Sequence, residues 1–127
     1  MNNDTQLLIA RILLSIIFIM SGLQKLFGIE GTAGDIASVG LPAATLLAWA
    51  AAIFETVAGI FILIGFQTRN TAWLTALFCL FTGFVFHFNL GDQMQTINLM
   101  KNIAMAGGFL ALASAGAGAL SVDAKRA

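Results

Sequence analysis

Five ionisable side chains stand in stretches where nearly every neighbour is apolar: Arg11, Lys25, Glu55, His87 and Lys101. A carboxylate among amines and an imidazole can hold and pass a proton. The same cations can donate hydrogen bonds to a ligand that carries carbonyl oxygens, helped by Gln24, Asn89, Asn98 and Asn102. A quinone head, an apolar ring with two carbonyl acceptors, suits such a set, with lysine or histidine as donors and Glu55 as proton relay. Each residue also has a plainer role. Lys25 can snorkel to an interface, His87 can be an interface residue, and Arg11 can anchor a helix end as a structural charge. Glu55 resists the plain role most, because a short acid cannot snorkel from mid-membrane and intramembrane acids mark functional sites.

Those roles depend on where the elements place the charges. The chain of 127 residues is 59% hydrophobic and only 9% charged, against about 25% charged in soluble domains. With a mean hydropathy of +0.93, a chain so short cannot bury its apolar surface from water, which makes lipid the expected solvent. The reading is a single domain over residues 1–127 and an all-α, integral membrane four-helix bundle, with spans at about 7–27, 43–66, 71–87 and 97–118. Residues 28–42 hold four glycines in their first thirteen residues and the chain's proline. They read as a loop with room for a short surface helix around Asp35 to Val39. Pro42 suits the first turn of the second span. Spans one and two, then three and four, can form two hairpins.

Four spans put both termini on one side. Arg11, Arg69, Lys125 and Arg126 fall there, while the opposite loops carry Glu30, Asp35 and Asp92, so both termini are expected in the cytoplasm. Arg11 is then a cytoplasmic-side structural charge. Fourteen residues apart, Arg11 and Lys25 differ by roughly 40° around a helix and share a face with Ser15, Phe18 and Gly22, about 21 Å apart along the axis. Lys25, His87 and Lys101 approach the outer half, with Glu55 below them. The expectation is a polar pocket near the outer leaflet formed by Lys25, Glu55, His87, Lys101, Asn98 and Asn102, with Lys25 or Lys101 as the partner of Glu55.

Several chemistries are excluded. Net charge is zero and no basic tract occurs, which argues against nucleic acid. One cysteine, Cys79, excludes an internal disulfide and a CxxC pair, and one histidine excludes bis-histidine haem ligation. No metal site and no resident cofactor are evident. Quinone is the one cofactor the polar set suggests. Cys79 and the phenylalanines of span three read as packing residues.

The order and spacing of these residues resemble the DoxX family. Arg11…Ser21-Gly22-x-x-Lys25-Leu26 lies in span one, Glu55-x-x-x-Gly59…Gly65-x-x-Thr68-Arg69 in and after span two. His87-x-Asn89 closes span three. Lys101-Asn102…Gly107-Gly108…Gly116…Leu120-Ser121-x-Asp123 completes the chain. The resemblance implies a small four-helix protein of the bacterial cytoplasmic (inner) membrane. Members of the family are often labelled oxidoreductases, and some are similar to membrane subunits of a thiosulfate:quinone oxidoreductase or are linked to redox partner complexes. The resemblance settles no catalytic role for any of the five charges. Three functions are therefore open: a quinone-binding membrane subunit of a redox system, a scaffold for a redox or stress-response partner protein, and a proton-coupled small-molecule transporter. The bundle is narrow, so transport would call for a homo-oligomer.

Overall fold

A computed structural model describes residues 2–126. Its elements are α1 (Asn3–Phe27), α2 (Ile29–Ser38), α3 (Ala44–Ile64), α4 (Thr68–Phe86), α5 (Gln93–Ala115) and α6 (Val122–Arg126), with no strand among the described residues. Helix ends follow local chemistry. The Asn2 side chain accepts from the Thr5 amide at 2.8 Å and starts α1. Asp92 accepts from the amides of Met94 and Gln95 and starts α5. Gly65, at φ 73°, ends α3: its amide reaches Ile62 O and the next amide reaches Phe61 O, closing the last turn as glycine characteristically allows.

The sequence between spans one and two differs from its expected form. Instead of a loop with a short helix near Asp35, residues 29–38 form α2, directly after a break at Gly28. Ile29, Thr32, Ala33 and Ile36 recur at helical spacing, and Ile36 is buried where α2 packs on α3. Gly31 and Gly34 face open space, so they do not interrupt that contact. Pro42 lies two residues before α3 rather than in its first turn.

α1 packs most extensively on α3, and α4 on α5, while the α3–α4 and α1–α5 contacts are thinner. The molecule is thus two antiparallel helix pairs joined side by side. Phe18 from α1 bridges them, meeting Phe109 edge-on at 5.2 Å and Phe78 at 5.9 Å between ring centres. Around it lie Ala58, Ile62, Ala72, Ala76, Cys79 and Leu112. Small side chains dominate because close backbone approach, not hydrophobic exclusion, drives helix association in lipid. Outward positions such as Leu13, Ile16, Leu46, Leu77 and Phe81 are large, apolar and exposed. Among the described residues α1, α3 and α5 are each long and apolar enough to cross a membrane. α4 has 19 residues and opens on the polar run Thr68-Arg69-Asn70-Thr71.

Candidate functional site

The α1–α3 contact is built on two glycines. A Cβ on Gly22 would lie 2.6 Å from the Thr56 amide nitrogen, and one on Gly59 would lie 3.0 Å from the Ile19 nitrogen. This close approach places residues 21–25 of α1 against residues 52–56 of α3. Arg11, Ser15, Phe18 and Gly22 form the buried face of α1, the face their spacing indicates. On α3 the buried line is Ala48, Ala52, Glu55, Ala58, Gly59 and Ile62.

Glu55 is buried at 6% exposure and forms an ion pair with Lys25, Nζ to Oε2 at 2.8 Å. Lys25 Nζ also donates to Ser21 Oγ at 2.8 Å, one turn earlier on α1. The Ser21 hydroxyl lies 3.5 Å from both Glu55 oxygens. Glu55 is nine residues from the end of α3, about 14 Å along the axis, while Lys25 occupies the last turn of α1. The lysine thus reaches from the helix end toward mid-span and keeps 29% of its side chain exposed. This arrangement can present a cationic donor and a hydroxyl to an acceptor, with a carboxylate behind them to take a proton.

The remaining candidates make no hydrogen bond or ion pair with Lys25 or Glu55 among the described residues. His87 ends α4, its Nδ1 2.7 Å from Gln95 Oε1. Asn102 spans α4 and α5, donating from Nδ2 to Cys79 O and to Thr82 Oγ1, both at 3.1 Å. Asn98 is half-buried on α5. Lys101 points outward and is exposed, with no hydrogen bond or ion pair among the described residues. Of the two cations considered for Glu55, Lys25 is the one that pairs with it. Ser21 was not in the expected pocket. Its signal was its place four residues before Lys25 on a helix, where side chains meet.

Arg11 belongs to a second polar centre, at the end of the molecule where Asp4 meets Ala119. It is fully buried, donating to Leu63 O at 2.9 Å, to Ile62 O at 3.5 Å and to Leu120 O. The first two carbonyls belong to the last turn of α3, where Ile62 O already accepts from the Gly65 amide and Leu63 O has no backbone donor among the described residues. A cation there also meets the negative end of the helix dipole. Arg69 does the same for α5, donating to Ala113 O and Ser114 O at 3.0 and 2.9 Å. The tail is tied across both: Asp4 accepts from the Ala119 amide, and Arg126 covers the Phe66 ring at 4.9 Å.

Asp123 caps α4 from across the chain, accepting from the Gln67 and Thr68 amides at 2.7 and 2.8 Å. Burial works to raise its pKa, but the hydrogen bonds from Thr68 and Gln67 and the charge of Arg126 outweigh it and hold the carboxyl below its usual range. Its contribution to stability is therefore complete above an unfolded value of about 3.9 and fades as pH falls through the lowered folded value. Asp123→Ala is expected to cost about 1 kcal/mol at pH 7. In acid unfolding series the difference from the parent should shrink below about pH 4, and a difference constant down to pH 2 would refute the cap.

Two concavities lie away from the ion pair. One, of about 490 Å³, is polar and sits beside Gln67, Arg69, Gly116 and Asp123 at the terminal end. The other, of about 270 Å³, is an apolar groove between α3 and α4 beside Ile53, Val57, Phe61 and Leu74.

Long apolar helices joined by an intramembrane ion pair define a small multi-pass membrane protein. The DoxX family model matches residues 6–88, and the chain belongs to the DoxX family. It is 42% identical over 120 residues to inner membrane protein YqjF of Escherichia coli (strain K12), covering 94% of this chain and 91% of that protein. It is 42% identical over 122 residues to inner membrane protein YphA of the same organism, covering 92% and 87%. A 70-residue stretch is 37% identical to a Bacillus subtilis (strain 168) protein named "Putative oxidoreductase CatD", covering 55% of this chain and 51% of that one. No solved structure matches the chain. These relatives and the membrane-spanning helices make it a protein of the bacterial inner membrane.

Proposed function

We propose that this protein is a membrane subunit of a redox system and that Ser21, Lys25 and Glu55 hold the head of a quinone. The ion pair at 2.8 Å carries the reading. A buried acid is retained against its desolvation cost only with a partner, and this partner remains partly exposed. Lys25 Nζ and the Ser21 hydroxyl donate to a quinone carbonyl. Reduction to the quinol consumes two electrons and two protons, one proton passing through the Lys25–Glu55 pair and the other coming from water, and oxidation of the quinol returns both the same way. Electrons come from a partner protein or leave on the quinol. The name of the Bacillus subtilis relative agrees with a redox role.

In this reading the chain is one domain of four spans, with α4 as the fourth and both termini cytoplasmic. The gathering of Asp4, Arg11, Arg69 and Asp123 at one end supports it. The test is the quinone extracted from purified protein. Glu55→Gln and Lys25→Met should each lower quinone per protein at least about fivefold, the equivalent of losing about one hydrogen bond. Lys101→Ala, away from the pair, should leave it unchanged. Equal quinone in all four proteins sinks the proposal.

A scaffold role is favoured by a different observation: His87 and Asn102 are committed to hydrogen bonds within α4, α5 and the loop between them, and Lys101 is exposed. It predicts a redox enzyme that co-purifies equally well with Glu55→Gln.

A further inference from the structure

α4 leans on α5 and meets α3 only thinly, which leaves the apolar groove of about 270 Å³ open between α3 and α4. Its α3 wall runs from Ile53 to Phe61, about 12 Å at 1.5 Å per residue, against roughly 15 Å for one leaflet's half of the hydrocarbon core. The mean cross-section is then roughly 22 Å², whereas a helix about 10 Å across needs about 80 Å². The space suits one hydrocarbon chain and is too narrow for a partner helix. One end of the groove is polar. Thr71 lines it at 6% exposure, in the first turn of α4, and its hydroxyl has no hydrogen-bond partner among the described residues. Thr75 and Thr82 on the same helix return their hydroxyls to Ala72 O and Phe78 O. Trp73, two residues on, is exposed at the level where tryptophan meets lipid headgroups. A cation stands at the same mouth. Phe61 packs edge-on against Phe66 at 4.9 Å between ring centres, and the Arg126 guanidinium lies 4.9 Å from the Phe66 ring centre. Lys125 beside it is exposed, and Asp123 of the same tail is committed to the Gln67 and Thr68 amides.

We propose that this groove holds one acyl chain of an anionic phospholipid from the leaflet at the N-terminal end of α4. Thr71 donates to the ester carbonyl, and Arg126, helped by Lys125, faces the phosphate. The α3 side chains that line the groove are all apolar, so the lipid head lies at the Thr71 end, where the basic tail residues attract a negative head over a zwitterionic one. A quinone tail would bring a neutral head with no use for Arg126. Lys25 also stands in the last turn of α1, at the opposite end of the bundle. A second copy would have to fit a whole helix into a slot one chain wide. The inference therefore stands apart from the quinone reading.

The experiment offers the full-length protein, in detergent micelles, equal amounts of phosphatidylglycerol and phosphatidylcholine with identical chains, and counts bound lipid by native mass spectrometry. Phosphatidylglycerol should be retained at least about fivefold in preference. Val57→Phe fills the groove from a half-exposed position and should lower retention of both lipids at least about fivefold, with a parent-like SDS unfolding midpoint. Leu13→Phe, on the lipid-facing side of α1, should change nothing. Thr71→Val should weaken phosphatidylglycerol binding about fivefold, the equivalent of about one hydrogen bond. Arg126→Gln should erase the preference between heads, and Arg126→Lys should restore it. Equal retention of the two lipids by the parent overturns the proposal. So does full phosphatidylglycerol binding in Val57→Phe, which would place the lipid elsewhere. If Val57→Phe instead lowers bound quinone or dissociates labelled copies of the protein while phosphatidylglycerol stays, the groove belongs to a quinone tail or to self-association, and the proposal fails.

Discussion

Arg11→Met is expected to destabilise the folded protein by roughly 3–5 kcal/mol, the largest single-residue effect in the molecule. Methionine ends two atoms short of the guanidinium nitrogens, so packing at the buried end is lost together with the hydrogen bonds. The guanidinium serves Ile62 O, Leu63 O and Leu120 O. Without it, Leu63 O at the α3 C-terminus is left unsatisfied in a site from which water is excluded, while Ile62 O keeps the Gly65 amide, and each unsatisfied group costs about 1–3 kcal/mol. The tail loses its tie to α1 at the same time. Arg11→Lys should recover only part of the stability, because one ammonium cannot match a planar fork spread over three carbonyls. Unfolding in mixed micelles with increasing SDS measures both. A parent-like midpoint for Arg11→Met would show that the guanidinium is a passive occupant of its site. Quinone content, normalised to folded protein, should change little, since Arg11 lies at the opposite end of α1 from Lys25.

The parts of this structure that were legible in the sequence are those set within one helix. The spacing of Arg11, Ser15, Phe18 and Gly22 puts all four on one side of α1, and all four are buried. A residue's level along its own helix was legible too, since it is a count of residues along an axis. Direction around the axis was not, because it depends on how neighbouring helices lock. Lys101 and Asn102 share a level, yet consecutive residues point about 100° apart. Asn102 lies against Gly83 of α4 and so turns inward, which leaves Lys101 outside. For Glu55, two partners fitted by depth, and the glycine contacts between α1 and α3 set the register that chose Lys25. The ligands of Arg11 are backbone carbonyls, which carry no side-chain signature. Residues 29–38 were misread because glycines suggest breaks, although here they occupy the open side of an amphipathic helix whose apolar spacing is intact.

Gly22 should show the sharpest contrast between two substitutions of identical chemistry. Gly22→Ala places a methyl against the Thr56 amide nitrogen at 2.6 Å and the Thr56 Cα at 3.0 Å. These are backbone atoms of a packed helix and cannot rotate away, so α1 and α3 must separate or slide. Overpacking of this kind costs about 1–3 kcal/mol. Gly31→Ala adds the same methyl where nothing lies within 4 Å, and removing a helical glycine there should stabilise α2 by about 0.5–1 kcal/mol. The two alanines should therefore move the SDS midpoint in opposite directions. Gly22→Ala should also impair the ion pair, because Ser21 and Lys25 flank the displaced backbone and Glu55 precedes Thr56. Its quinone content should fall with that of Glu55→Gln, although residue 22 has no polar side chain to offer a ligand. Unchanged stability in Gly22→Ala would mean that α1 and α3 do not meet at this register, and the Lys25–Glu55 pair would lose its structural basis with them.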